Sequence, residues 1–144
     1  QNDLKKFKII KLKKLIKLLK KETRLLVEIK PFLDKKKIYI FCKLIKKNKK
    51  NISVISFKEK NLIQLRNFDK NLKLGLIFND NKNLNFIKSK LKQKHINFFV
   101  LHRSKFRNKK IDILNIKKIY YTFKNIKLKK TKKSKDLIIE NILN

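Results

Sequence analysis

Two charged residues near the start of the chain could take part in phosphate chemistry. Glu28 and Lys30 belong to the short apolar run 25–30. On a β-strand, side chains two residues apart point to the same side, so Glu28 and Lys30 would face one way and Val27 and Ile29 the other. A carboxylate is a suitable oxygen ligand for Mg²⁺ or Ca²⁺, and a neighbouring lysine can neutralise a phosphate oxygen. In a chain this rich in lysine, an ordinary surface ion pair explains the same two residues equally well.

The high positive charge of the chain suggests a different class of function. It has 43 lysines and arginines against 10 acidic residues, a formal net charge of +33. Such a basic chain is typical of nucleic-acid binding, because cationic side chains release the counterions of the phosphate backbone. The residues in excess are, however, those with AT-rich codons, so nucleotide bias also explains the charge. Nucleic-acid readers commonly use arginine, and the chain has four: Arg24, Arg66, Arg103 and Arg107.

Cysteine use and hydropathy limit the setting. The single Cys42 cannot form an internal disulfide, which fits a reducing cytoplasm. No run approaches the roughly 18 apolar residues of a membrane-spanning helix, so we expect no transmembrane segment. The chain begins at Gln1 and contains no methionine, so we expect that part of the protein precedes it.

Strand-like and helix-like patterns alternate along the chain. The strand-like segments are residues 25–30, 52–57, 73–78, 96–102, 118–123 and 137–142. Helix-like segments occupy residues 34–47, 58–68 and 84–94, and a looser stretch covers 105–115. This alternation predicts an α/β fold with parallel pairing, and the continuous apolar runs favour a sheet covered on both faces. Periodicity leaves two architectures open: an open sheet, or about six of the eight units of a (β/α)₈ barrel.

An amphipathic helix is predicted before the first strand, over residues 4–20. Its apolar side chains share one face: Leu12, Leu15, Ile16 and Leu19. Such a basic helix could lie on anionic lipid, which would make the protein a peripheral membrane protein. We favour packing onto the sheet, because a strand-like run follows directly.

The order of short motifs resembles that of the glycerophosphodiester phosphodiesterases. That family has a leucine-rich helix before a strand ending Glu-Ile-Lys-Pro, then strands ending Ser-Phe and containing Leu-Gly-Leu, a histidine-containing turn, and two later strands. The matching residues are Glu28-Ile29-Lys30-Pro31, Ser56-Phe57, Leu74-Gly75-Leu76, Leu101-His102-Arg103-Ser104, Tyr121-Thr122-Phe123-Lys124 and Ile138-Ile139-Glu140-Asn141. No single match is specific, but all six occur in the family's order.

The resemblance implies a fold and an activity. Residues 1–144 would form the C-terminal portion of a single (β/α)₈ barrel domain, and the activity would be metal-dependent hydrolysis of glycerophosphodiesters to glycerol 3-phosphate and an alcohol, in lipid metabolism. Glu28 would bind the divalent metal, Mg or Ca, and Lys30 would contact the phosphate. Phe57 and Tyr121 would line the glycerol side of this small-molecule site. For Phe57, packing in the core is an equal alternative.

The departures from the family are equally informative. Its catalytic histidines and first two metal carboxylates belong to motifs upstream of Glu-Ile-Lys, and this chain contains none of them. We interpret His102 as part of a turn and His95 as a solvated residue capping a helix end. The resemblance therefore predicts that these residues alone are an inactive part of the enzyme. The alternative is a lysine-rich, non-catalytic nucleic-acid-binding or ribosomal protein; we favour no specific nucleic acid as a partner.

Overall fold

A parallel sheet is the centre of the molecule. The computed structural model describes residues 11–123 and 136–139. The strands are β1 Leu25–Glu28, β2 Ile52–Ser56, β3 Lys73–Phe78, β4 Phe98–His102, β5 Lys117–Phe123 and β6 Asp136–Ile139. All pairings are parallel, and the spatial order β1-β2-β3-β4-β5-β6 is the order along the chain. A doubly wound sheet would reverse its order at a switch point, whereas this order suits strands that curl into part of a barrel. The α/β prediction is confirmed.

Short helices connect the strands. They are α1 Leu12–Lys17, α2 Lys35–Ile45, α3 Glu59–Phe68, α4 Leu84–Ser89 and α5 Lys109–Asp112, with 3₁₀ turns at Lys46–Asn51 and Arg103–Lys105. Three of the helices begin at a side chain that accepts a hydrogen bond from the first turn. Asp34 accepts from the amide of Lys37 at 2.8 Å, and Asn83 accepts from the amide of Phe86 at 2.9 Å. Asn108 caps α5 in the same way. Such caps fix where each connection becomes helical.

The two faces of the sheet pack against different partners. Val54, Leu74 and Phe99 belong to the large cluster that includes the helix residues Ile38 and Leu65. On the other, concave face, a smaller cluster is formed by Ile55, Ile77, Phe98 and Val100, with Leu26, Ile119 and Tyr121 packed against it. Because both faces are apolar, the strands read as continuous hydrophobic runs.

Gly75 is required by packing on the concave face. In the register of the sheet it pairs with Phe98, whose ring lies directly over it. A Cβ atom at position 75 would lie 2.3 Å from Cε2 of Phe98, much closer than any normal contact. Since Phe98 is 5% exposed, an added methyl group would have to displace a buried ring.

Several boundaries differ from those expected. The helix predicted over 84–94 ends at Ser89, and residues 90–96 continue as turns closed by bonds three residues apart. The spacing between apolar residues widens from three (Leu84 to Ile87) to five (Leu91 to Ile96). Residues five apart do not lie on one face of a helix. The stretch predicted to be loose contains α5. The last strand is described over Asp136–Ile139, and the predicted residues 140–142 lie outside the described residues.

The first helix is shorter than predicted but packs as expected. Residues 4–10 lie outside the described part, and α1 covers Leu12–Lys17. Ile16 is 6% exposed and belongs to the large cluster between the sheet and the helices, with Leu12 and Leu19 packed against this cluster. This favours the packing interpretation over the lipid-bound one.

Candidate functional site

The residues with chemical potential lie at one edge of the sheet, where the parallel strands end. Glu28 is the last residue of β1, Phe57 follows β2, and Asp80 comes two residues after β3. His102 is the last residue of β4, and Tyr121 is close to the end of β5. We call this the carboxyl edge. In parallel α/β barrels the active site is built at this edge from the ends of several strands.

Tyr121 is the centre of the edge. Its ring lies 6.3 Å from that of Phe57 at an interplanar angle of 82°, and 5.7 Å from that of His102 at 79°, both edge-to-face. Its hydroxyl donates a hydrogen bond of 2.9 Å to the carbonyl oxygen of Phe78, the last residue of β3. Tyr121 therefore ties the ends of β3, β4 and β5 together and presents an aromatic wall shared with Phe57.

Two carboxylates act on the same hydroxyl. Burial raises the pKa of Tyr121, and the negative charges of Asp80 and then Glu28 raise it further. Each carboxylate disfavours a second negative charge nearby, so the phenol stays protonated. The structure thus brings the predicted residue Glu28 into the same electrostatic environment as Tyr121 and Asp80, although β1 and β5 are separated by three strands.

A buried polar network fixes the loop that follows β1. Ser56 and Asn61 are both fully buried. The Ser56 hydroxyl donates to the carbonyl oxygen of Ile29 at 2.7 Å. The Asn61 amide donates to the carbonyl oxygen of Pro31 at 2.8 Å, and its oxygen accepts from the amide of Leu33 at 3.1 Å. Because these bonds satisfy the loop backbone in a buried place, they determine its path.

The predicted site residues differ in their exposure and in their contacts at the carboxyl edge. Glu28 and Lys30 are exposed on either side of buried Ile29, which is the alternation expected of a strand. Phe57 is 43% exposed, and in the structure it lines the edge instead of filling the core. Among the described contacts, the Lys30 side chain has no hydrogen bond or ion pair. The roles of Glu28, Lys30, Phe57 and Tyr121 in binding stay predictions.

Sequence reasoning missed Asp80 and left His102 without a role. The Nδ1 atom of His102 accepts a hydrogen bond from the amide of Ser104 at 3.3 Å and lies 3.0 Å from its hydroxyl oxygen. This assigns the remaining proton of a neutral ring to Nε2. Asp80 and His102 share a feature that is visible in the sequence. Each is a polar residue at, or just after, the carboxyl end of a predicted strand.

The interpretation of His95 as a solvated cap is wrong. Because α4 ends at Ser89, His95 does not stand at a helix end. Its side chain is 13% exposed, and Nε2 lies 3.2 Å from Oε1 of Glu59, although the two are not aligned as a hydrogen bond. The residue is held against α3 by this pairing.

The described residues do not assemble a metal site by themselves. Among residues 11–123 and 136–139, no group of three or more His, Cys, Asp or Glu side chains is arranged to hold a metal ion. Mg²⁺ and Ca²⁺ take six or more oxygen ligands, several of which can be water. Glu28 and Asp80 could therefore contribute carboxylates to such a site without completing it.

Among the cavities lined by the described residues, a large one lies at the opposite edge. It has a volume of about 670 Å³ and lies near the amino ends of the strands. Its polar lining consists of Arg24, Lys50, Ser53, Lys73, Asn97 and Lys117. A smaller cavity of about 220 Å³ lies at the carboxyl edge, next to Phe57. The residue types that could do acid–base or metal chemistry are thus at the edge with the smaller cavity.

Comparison with known proteins gives structural neighbours. No protein-family model and no curated protein matches the chain. A glycerophosphodiester phosphodiesterase from Parabacteroides distasonis matches with a TM-score of 0.54 and 15% identity, over 72% of this chain and 46% of its own. A candidate glycerophosphodiester phosphodiesterase from Galdieria sulphuraria matches with a TM-score of 0.63 and 16% identity, over 90% of this chain and 58% of its own.

These neighbours confirm the resemblance at the level of the fold. The two structures carry the description that the motif order predicted, and the chain spans about half the length of each, 46% and 58%. The chain therefore shares with these two structures the fold of a curled, parallel α/β half-barrel. Within the described residues, no helix is both long and apolar enough to cross a membrane.

Proposed function

We propose that this chain is the C-terminal part of a glycerophosphodiester phosphodiesterase barrel. The parent enzyme would hydrolyse glycerophosphodiesters to glycerol 3-phosphate and an alcohol in a metal-dependent reaction of lipid metabolism. The observation that carries the proposal is the convergence of Glu28, Phe57 and Tyr121 at the carboxyl edge. The motif order and the two structural neighbours support it.

Each residue has a defined part in this proposal. Glu28 would be one carboxylate ligand of Mg²⁺ or Ca²⁺, which would stabilise the charge that develops on the phosphate. Lys30, whose loop is fixed by Ser56 and Asn61, would neutralise a phosphate oxygen. Phe57 and Tyr121 would form the wall against the glycerol carbons. The general acid and base would come from residues outside this chain.

Hydrolysis assays of the polypeptide that contains this chain in its source organism would test the proposal. Release of glycerol 3-phosphate from glycerophosphocholine would be followed with Ca²⁺, with Mg²⁺ and with EDTA. We expect metal-dependent release that Glu28→Gln lowers at least about 100-fold, as loss of one group stabilising the transition state does. Glu22→Gln is the matched control, because Glu22 is an exposed carboxylate outside the edge. Equal activity in both variants would contradict the role of Glu28.

The nucleic-acid alternative is not favoured. It rests on the charge of +33, which is a property of the whole composition, whereas the fold matches phosphodiesterases. We also propose a cytoplasmic location, because Cys42 is a buried free thiol, as expected in a reducing compartment.

A further inference from the structure

A small pocket at the carboxyl edge has no part in the proposed hydrolysis. It lies between the loops that follow β2 and β3 and has a volume of about 220 Å³. Its walls include the apolar side chains of Phe57, Ile77 and Phe86, and its charged residues are Glu59, Lys82 and Lys90. We call it the Phe86 pocket. It shares with the candidate site described above Phe57 and Phe78, the residue whose carbonyl oxygen accepts from Tyr121.

Two ammonium groups lie beside one aromatic ring in this pocket. The Nζ atom of Lys82 is 4.9 Å from the centroid of the Phe86 ring, and the Nζ atom of Lys90 is 5.4 Å from it. An ammonium gains only about 0.5–1 kcal/mol from an exposed ring, and the ring does not cancel its charge. The aromatic ring therefore leaves the charge of each ammonium to be balanced by another group.

The two lysines differ in their partners. Lys90 pairs with Oε2 of Glu59 at 2.6 Å, and the other oxygen of Glu59 faces His95. Among the described residues, no carboxylate pairs with Lys82. The pocket thus combines one balanced and one unbalanced ammonium, with the net positive charge on the side of Lys82.

The pocket is arranged before a ligand arrives. The Lys90 side chain is 18% exposed and that of Glu59 25%, so both are held by their surroundings. Lys90 and Glu59 come from different helical segments, α3 and the end of α4, and their ion pair fixes one wall relative to the other. A site that is ordered in advance loses less entropy when it binds.

We propose that the Phe86 pocket binds the phosphate group of a small phosphate monoester. Lys82 would supply the charge that neutralises the phosphate, and Lys90 would donate a second hydrogen bond. The organic part of the ligand would pack against Phe57 and Phe86. A phosphate suits this arrangement better than a carboxylate does, because one of its oxygens can balance the unpaired charge of Lys82 while another accepts from Lys90, which keeps its pair with Glu59. The small volume limits the ligand to a few heavy atoms beyond the phosphate.

The test uses phenyl phosphate and inorganic phosphate as probes, without metal and without turnover. Each is titrated into ¹⁵N-labelled protein at 150 mM NaCl, and the amide shifts are mapped by NMR. We expect phenyl phosphate to shift Phe57, Lys82 and Phe86 and to bind more tightly than inorganic phosphate. Lys82→Gln should weaken its binding about 5- to 10-fold, as expected when a charge-assisted hydrogen bond is lost at a partly exposed site.

Matched variants separate a site from general attraction to a basic protein. Lys88→Gln removes an exposed charge from α4, the helix that carries Phe86. Lys88 does not line the pocket, so this change should leave the affinity unchanged. Lys82→Arg should retain most of the binding, and Phe86→Leu should weaken phenyl phosphate more than inorganic phosphate. The proposal is overturned if Lys88→Gln weakens binding as much as Lys82→Gln, if shifts spread evenly over the lysine-rich surface, or if phenyl phosphate binds no more tightly than inorganic phosphate.

Discussion

The two edges of the sheet differ in what their polar residues do. At the carboxyl edge, Glu28, Asp80 and His102 stand at or near strand ends around the half-buried Tyr121. The cavity at the amino edge has a volume of about 670 Å³, three times that of the carboxyl-edge cavity, about 220 Å³. Its polar lining among the described residues consists of lysine and arginine side chains with Ser53 and Asn97, and it includes no carboxylate or imidazole. The candidate site is therefore assigned from the residue types that converge at the strand ends, and it does not coincide with the larger cavity. Its role in chemistry stays a prediction.

The edges also differ in how their asparagines are used. Asn61, near the carboxyl edge, is fully buried and bonds the backbone of Pro31 and Leu33. Asn51, at the amino ends, makes exposed bonds: its oxygen accepts from Arg24 at 2.5 Å and its amide donates to the carbonyl oxygen of Lys21 at 2.8 Å. Water can replace the bonds of Asn51 but not those of Asn61.

One of the two largest expected effects comes from breaking the buried network. Asn61→Ala should lower the free energy of unfolding by about 2 kcal/mol, because it removes a fully buried amide and the part-buried bonds that this amide makes to the loop backbone. Asn51→Ala should cost about 1 kcal/mol or less, since its partners stay hydrated. Urea denaturation followed by circular dichroism measures both values. Equal losses in the two variants would show that the carboxyl edge is no more rigidly built than the amino edge.

Packing on the concave face gives an effect of similar size. Gly75→Ala should lower the free energy of unfolding by about 2 kcal/mol, because the new methyl group would displace the Phe98 ring that lies over Gly75. Ser53→Ala lies on the same face nearer the amino edge, next to the large cavity, and should change stability by less than about 0.5 kcal/mol. Thermal unfolding compares the two. A fully tolerated Gly75→Ala would contradict the close approach of the ring.

The smallest effect concerns the hydroxyl of Tyr121. Tyr121→Phe removes its bond to the Phe78 carbonyl and should cost about 1 kcal/mol at pH 7. Because the pKa of Tyr121 is raised in the folded protein, the neutral phenol contributes stability below the ordinary tyrosine pKa of about 10. This contribution is lost as the pH rises through the folded pKa. The wild-type advantage should therefore shrink in alkaline solution.

A matched tyrosine provides the control for this prediction. Tyr39 is 50% exposed on α2, away from both edges, so Tyr39→Phe should have no measurable effect at either pH. Unfolding in urea at pH 7 and pH 11 compares the three proteins. If the difference between wild type and Tyr121→Phe stays constant with pH, the pKa of Tyr121 is not raised in the folded protein.

The sequence predicted the strands better than the helices. Apolar runs located all six strands to within a few residues, because a strand buried on both faces is almost continuously hydrophobic. The end of α4 was missed by five residues, since lysines in the run 90–94 fit a helix as well as a turn. The pairing of His95 with Glu59 joins two separate segments, and no local pattern contains that contact.

The candidate site was predictable in part. The family resemblance marked Glu28, Phe57 and Tyr121, and the structure has them at the carboxyl edge, while their roles in binding stay predictions. The contribution of Asp80 depends on the curl of the sheet, which brings β1, β3 and β5 around one hydroxyl. Periodicity alone fitted an open sheet equally well, so this convergence could not be read from spacing.

Mapping where a ligand binds would show directly whether the binding site lies at the carboxyl edge. Glycerol 3-phosphate would be titrated into the ¹⁵N-labelled protein with Ca²⁺ present, and amide shifts would be compared between the edges by NMR. The account predicts shifts at Glu28, Phe57 and Tyr121 and smaller or no shifts at Leu26, Ser53 and Asn97 around the large cavity. Shifts concentrated at the amino edge, with Glu28 and Tyr121 unchanged, would contradict it.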